Sequence, residues 1–207
     1  MMTASVAPTT TPPPVGTRPR PLVMRWTVEQ FHEMGERGWF EGRRPFLLDG
    51  VIWEQGPMNS PHAIALGLIQ VAFQGVFSFP AGWWLRLQSP LKVDEANDPF
   101  PDVAVVKGSP RDYTAHPSTA ALVIEVADTS LSEDLAEKAE RYATAGVADY
   151  WVLDIVNRQL HVLRDPQPLP KGFGVTAYRK QSVLGPADRV SPLAAPGTSI
   201  LVGDLLP

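Results

Sequence analysis

The chain has 207 residues, no cysteine, four histidines and a formal net charge of −4. Its length supports one domain with a real core. The lack of cysteine excludes disulfides, thiolate catalysis and cysteine-ligated zinc or iron–sulfur centres. The histidines lack His-Glu-x-x-His spacing, which argues against a zinc hydrolase. The acidic balance argues against a passive nucleic-acid coat held by long-range charge. No apolar run is long enough to span a membrane, and Met1–Pro21, rich in Thr and Pro, has no apolar signal core. The expectation is a cytoplasmic protein with a disordered tail over 1–24, carrying Arg18 and Arg20, and one domain over 25–207.

Thr27 and Gln30 have capping-box spacing, and Trp26 and Phe31 the spacing of a hydrophobic staple. They predict a helix from Val28 to about Glu36, with Phe31 and Met34 inward. Two apolar runs, Phe46–Leu48 and Val51–Trp53, flank Asp49-Gly50 and predict a type I′ hairpin. Ser60 reads as a cap before Pro61. The spacing of Ile64, Leu68, Val71 and Phe73 predicts a helix to about Phe79. Trp83–Leu87 and Pro90–Val93 read as strands, and Asp94–Pro99 as a turn.

Asp102–Val106 and Leu122–Val126 are predicted as buried strands joined by the loop Lys107–Ser118. Ser132 is the expected cap of the next helix, whose Glu133 and Asp134 suit its N-terminal dipole. Leu135, Ala139, Tyr142 and Ala143 form its apolar side, and Gly146 stops it. Tyr150–Asp154 and Leu160–Leu163 read as a hairpin. Short strands are predicted near Val175–Tyr178 and Ser199–Val202. The order of elements predicts an α/β (α+β) fold, a mixed β-sheet flanked by helices.

Two carboxylates interrupt apolar strands: Asp102 in Phe100-Pro101-Asp102-Val103-Ala104-Val105-Val106, and Glu125 in Leu122-Val123-Ile124-Glu125-Val126. A charge there is costly unless paired or bound to a metal. On neighbouring strands the two can share a divalent cation, with waters and the backbone carbonyl of Val126. The bland readings are a turn residue for Asp102 and a water-facing edge residue for Glu125. Lys138, four residues after Asp134, reads either as a catalytic ammonium or as a surface ion pair worth about 0.3–0.5 kcal/mol. His62 reads either as a neutral hydrogen-bonding partner near the site or as a solvated residue at a loop end. Gln88 is a weaker accessory candidate. Tyr142 reads as a core residue, with packing against the Lys138 stem as the other option.

The ordered set Trp26–Phe31, Leu48-Asp49-Gly50, Ser60-Pro61-His62, Gln88-Ser89-Pro90, Pro101-Asp102, Ile124–Ser130, Asp134–Lys138, Tyr142–Val147 and Tyr150–Asp154 resembles the bacterial Uma-type restriction-endonuclease family, within the PD-(D/E)XK nuclease superfamily. The resemblance implies a restriction-endonuclease-like core and cleavage of DNA with Mg²⁺ as cofactor, Mn²⁺ being a substitute. Asp102 and Glu125 match the metal carboxylates. The superfamily's usual lysine would fall at Ala127; in this family it has moved to the following helix, which matches Lys138. One departure stands out: Phe46 occupies a position where family members commonly carry glutamate, and Val51 follows Asp-Gly where another is frequent. A third acidic group that could serve a second metal ion is therefore missing.

Two functions follow. One is a metal-dependent endonuclease acting on DNA, for which symmetric double-strand cleavage would favour a homodimer. One candidate surface for a dimer is the hairpin Tyr150–Arg164, read as an exposed sheet edge. The other is a catalytically degenerate nuclease fold that serves as a nucleic-acid-binding or assembly module, motivated by Phe46.

Overall fold

The structure, a computed structural model, describes residues 23–170 and 176–207. Nearly all of the expected tail, with Arg18 and Arg20, lies outside the described residues, as does Val175.

Helix α1 spans Val28–Glu36 and has the full capping box: Thr27 Oγ1 accepts the Gln30 N–H at 3.2 Å, and Gln30 Oε1 accepts the Thr27 N–H at 3.0 Å. It buries Val28, Phe31 and Met34. Strands β1 (Pro45–Leu48) and β2 (Val51–Glu54) form the expected hairpin, with φ of 49° at Asp49 and 68° at Gly50. A Cβ at Gly50 would come within 2.9 Å of the Trp26 carbonyl, so this turn requires glycine.

Helix α2 runs over Ser60–Gln74. Its cap is Asn59, whose Oδ1 accepts the His62 N–H at 3.0 Å; Ser60 is already helical. The buried face is Ala65, Leu66, Ile69 and Phe73, while Ile64 and Val71 are more than half exposed. The helix is apolar almost all round, so the spacing that predicts it does not by itself choose the buried side. The helix also ends before Phe79: Gly75 caps it, and Phe77 folds back to stack on Phe73.

A six-stranded sheet forms the centre in the order β3 (Trp83–Leu87), β4 (Val103–Lys107), β5 (Leu122–Ala127), β6 (Asp149–Asp154), β7 (Gln159–Pro168), β8 (Thr176–Leu184). Only the β5–β6 pair is parallel. Pro90–Val93 is extended chain outside any strand. Its Leu91 and Val93 N–H groups bond to Pro99 and Asn97 across the turn. One sheet face, with Val103, Val105, Ile124, Val126, Trp151 and Leu153, packs against α2 and the C-terminal segment. That segment holds the small pair β9 (Arg189–Val190) and β10 (Ile200–Leu201).

The opposite face, including Ala104, Val123, Tyr150 and Val152, packs against the helical segment between β5 and β6. This segment begins with α3 (Leu131–Glu133), widens into a π turn over Asp134–Lys138 and ends as α4 (Ala139–Thr144). Its start is two residues earlier than predicted, with Ser130 before it in place of Ser132. Gly146 ends it at φ 75°.

The hairpin Tyr150–Arg164 is not a sheet edge. β6 lies between β5 and β7 and is buried throughout, and β7 is covered by β8. The short strand predicted near Val175–Tyr178 falls on the start of β8, which runs longer, to Leu184, and pairs along β7. Among the described residues, no helix is long and apolar enough to cross a membrane.

Candidate active site

β4 and β5 pair with Val103 opposite Ile124, so the register continues to Asp102 opposite Glu125. Directly opposed residues share a sheet face. Both are almost fully enclosed, Asp102 at 4% and Glu125 at 2% exposure. Each carboxylate has one oxygen fixed by the core. Asp102 Oδ2 accepts the Val126 N–H at 2.9 Å, and Glu125 Oε1 accepts the Tyr142 hydroxyl at 2.7 Å. The second oxygens meet groups of the cleft. Asp102 Oδ1 lies 3.0 Å from His62 Nε2 and 3.3 Å from Gln88 Nε2, and Glu125 Oε2 lies 3.2 Å from Lys138 Nζ.

Lys138 also pairs with Asp134 at 2.7 Å. Asp134 is fully buried and accepts the Ser130 hydroxyl at 2.6 Å. The surface ion pair considered from sequence is thus an internal one. Asp134, Lys138 and Tyr142 follow one another at four-residue spacing, and all three reach inward to the sheet.

The electrostatics follow from this enclosure. Burial pushes the Glu125 carboxyl up to about 8; Lys138 opposes the rise, and the nearby Asp102 and Asp134 add to it. For Lys138, burial favours the neutral amine, but Glu125, Asp134 and Asp102 outweigh it and hold the ammonium charged. Asp102 is buried too, yet the hydrogen bond and charge of His62, with the Val126 N–H, keep its carboxyl below the usual range. His62 is shifted up by its bond to Asp102, against the cost of burial. It is therefore a partner of Asp102 that readily carries charge, where the sequence suggested a neutral group.

Neighbouring elements hold these groups in position. Asn59 caps α2 and donates to Asp128 in the loop after β5, which anchors the first helical turn carrying His62. Gln88 has a left-handed φ of 43°, a conformation that costs a residue with a side chain about 1–3 kcal/mol. Its N–H donates to the Asp102 carbonyl at 3.0 Å, its side chain donates to Asp102, and Arg44 donates to its Oε1 at 3.3 Å.

Asp102, Glu125, Val126, Lys138, His62 and Gln88 all line one cleft of about 380 Å³. A larger cavity of about 880 Å³, beside His32, Arg86 and His116, shares no residue with it and holds neither strand carboxylate. The cleft's donor set fits a hard divalent cation: two carboxylates side by side, with one oxygen of each among the polar groups of the cleft. Mg²⁺ keeps several waters and is commonly held by one or two carboxylates together with substrate phosphates. Among the described residues, no cluster of three or more His, Asp or Glu is arranged to hold a metal.

A family model described as "Putative restriction endonuclease", Uma2, matches residues 28–203. The chain belongs to the Uma2 family. No curated protein matches it. Among solved structures it is similar to "a putative nuclease belonging to DUF820" from Anabaena variabilis, with a TM-score of 0.64 and 15% identity over 86% of this chain and 96% of that one. At that identity the likeness speaks for the fold alone, and it agrees with the mixed sheet flanked by helices.

Sequence reasoning underread two residues of this candidate site. Asp134 read as a first-turn acid and surface partner of Lys138, and Tyr142 as core packing or a prop for the Lys138 stem. The ladder Asp134, Lys138, Tyr142 at four-residue spacing, in a helix following a strand that carries a glutamate, was the available signal.

Proposed function

We propose that this Uma2 member is a metal-dependent endonuclease that hydrolyses DNA phosphodiester bonds, with Mg²⁺ or Mn²⁺ held by Asp102, Glu125 and the Val126 carbonyl. The observation carrying this reading is the pair of enclosed carboxylates, opposed across β4 and β5, with Lys138 3.2 Å from one and His62 3.0 Å from the other. When bound, the cation supplies Lewis-acid polarisation of the phosphate and a more acidic water. The chain's own groups do the rest. Asp102 furnishes an anionic oxygen, and Glu125, whose carboxyl burial raises to about 8, would furnish a second on losing its proton, at a separation set by the strand register. Lys138 remains protonated and donates to the attacking water or to the phosphate oxygen on which charge builds. Tyr142 and the Val126 N–H keep the carboxylates from turning. His62 and Gln88 hold Asp102 Oδ1 toward the cleft.

The test is incubation of plasmid, single-stranded DNA and RNA with the protein and Mg²⁺ or Mn²⁺, with EDTA as control. Cleavage that EDTA abolishes supports the reading, and no cleavage of any form rejects it.

A second reading has one observation in its favour. Phe46, where relatives commonly carry glutamate, lines this same cleft, so a second cation would lack a ligand. In that reading the protein is a degenerate nuclease fold that binds nucleic acid without cutting. Calorimetric titration separates the two, since a degenerate site takes up no Mg²⁺ or Mn²⁺ at millimolar concentration.

A further inference from the structure

The β1–β2 hairpin is apolar on both faces. Leu47 and Ile52 point to α1, where Leu47 is fully buried with Val28 and Phe31. Strand alternation predicts polar residues on the other face. That face instead carries Phe46 and Leu48 from one strand and Trp53 from the other, with Phe46 directly opposite Trp53. All three line the cleft that holds Asp102 and Glu125, as do Met58 and Phe100. Trp53 is 53% exposed and Met58 40%, so core packing does not account for them. The exposed ring of Trp53, with the half-buried Phe46 beside it, suits an occupant that is flat and apolar on its faces.

The charge around the cleft narrows the choice. Arg44 and Lys138 face six carboxylates, among them Asp128, Glu133 and Glu137, and the whole chain carries −4. Duplex DNA has one phosphate charge per about 1.7 Å of axis, roughly twice the line charge of either strand alone, so this rim is a poor seat for it. A volume of about 380 Å³ lies at the small-ligand end of binding sites, which span about 300–1,000 Å³. It suits one nucleotide turned out of a stack.

Resting on the nuclease reading of the cleft, we infer that the substrate is an unpaired strand, with a nucleobase stacked on the Phe46–Trp53 wall while its phosphate lies at Asp102, Glu125 and Lys138. Stacking gives binding that is indifferent to base identity and compensates for the acidic lining of the cleft. It also gives Phe46 a role as a base platform beside Trp53.

The test is fluorescence anisotropy of a labelled 20-nucleotide single strand and of the same sequence as a duplex, each with Mg²⁺ and the full-length chain. Cleavage is measured in parallel on both. The single strand should bind at least about tenfold tighter, and Trp53→Ala should cost about tenfold in single-strand affinity, the size of one lost base–aromatic stack. Phe46→Leu, which keeps packing volume and removes the ring, should weaken single-strand binding in the same direction, with an unchanged melting temperature. Equal or tighter duplex binding, no detectable binding, or wild-type affinity in Trp53→Ala would overturn the inference. Duplex cleavage without single-strand preference removes the stacking proposal and leaves the nuclease reading. Ring-dependent single-strand binding without cleavage of any form does the reverse.

Discussion

Asp102 and Glu125 hold each other across the β4–β5 pair. The Asp102 carboxylate accepts the N–H of Val126, the residue after Glu125, at 2.9 Å, and the Glu125 carboxylate accepts the N–H of Asp102 at 3.4 Å. Each side chain thus bonds to the backbone of the other's strand. The two carboxyl groups are locked at one spacing, and burial, with the charge of Asp102 adding to it, favours the protonated form of Glu125.

Asp102→Asn should abolish metal-dependent cleavage and leave the fold intact. The amide oxygen can still accept the Val126 N–H, but an amide is a poor ligand for a hard cation. The same substitution removes the main cause of the upward shift at His62, so His62 should titrate at lower pH. Activity assays, circular dichroism and an NMR titration of His62 check the three parts. Wild-type turnover would take Asp102 out of the site.

Glu125→Gln should change how stability depends on pH. The carboxyl is raised from 4.5 to about 8, so between those values the folded chain keeps a proton that the unfolded chain has released. Its contribution is full below about 4.5 and is lost as pH rises through about 8. The slope reaches at most about 1.4 kcal/mol per pH unit. The glutamine mimics the protonated acid and removes that decline. Urea unfolding at pH 6 and pH 9 should give a variant whose stability advantage over wild type is larger at the higher pH. Parallel curves would show that Glu125 is not the retained proton's site.

Lys138→Ala should lower turnover by about two to three orders of magnitude, the range for one lost transition-state contact. Metal affinity should hold or rise, because a nearby positive charge is gone. Asp134→Asn, measured beside it, keeps the packing and removes the second carboxylate that holds the ammonium. Comparable losses of stability from both, with turnover unaffected in each, would make Lys138 a purely structural counter-charge.

Tyr142→Phe should destabilise the fold by about 1–3 kcal/mol, since it strips a buried carboxylate oxygen of its donor. It should also weaken Mn²⁺ binding, because Glu125 then loses its orientation. Urea unfolding and calorimetric titration read the two effects. A variant unchanged in both would show that the 2.7 Å bond contributes nothing to the site.

The sequence carried the strand carboxylates clearly, because Asp102 and Glu125 break apolar runs and have few inexpensive explanations. It carried α1 and the first hairpin for the same reason: Thr27, Gln30 and Asp49-Gly50 act locally, and local chemistry decides them. It carried less wherever the outcome depends on what lies opposite. The buried side of α2 is set by the sheet and not by its own apolar spacing. The position of the Tyr150–Arg164 hairpin inside the sheet depends on β8, far along the chain. The depth of Asp134 depends on a π turn, and no residue in Asp134–Lys138 announces one. The pairing of Phe46 with Trp53 on the cleft wall needed the strand register.

The central claim is that Asp102 and Glu125 share one divalent cation. Anomalous diffraction from a crystal soaked in millimolar Mn²⁺ tests it most directly. The account predicts a single strong peak in contact with one oxygen of each carboxylate, with Lys138 still beside Glu125. Empty density there at millimolar Mn²⁺, with Asp102 still held by His62 and Glu125 by Lys138, would contradict it.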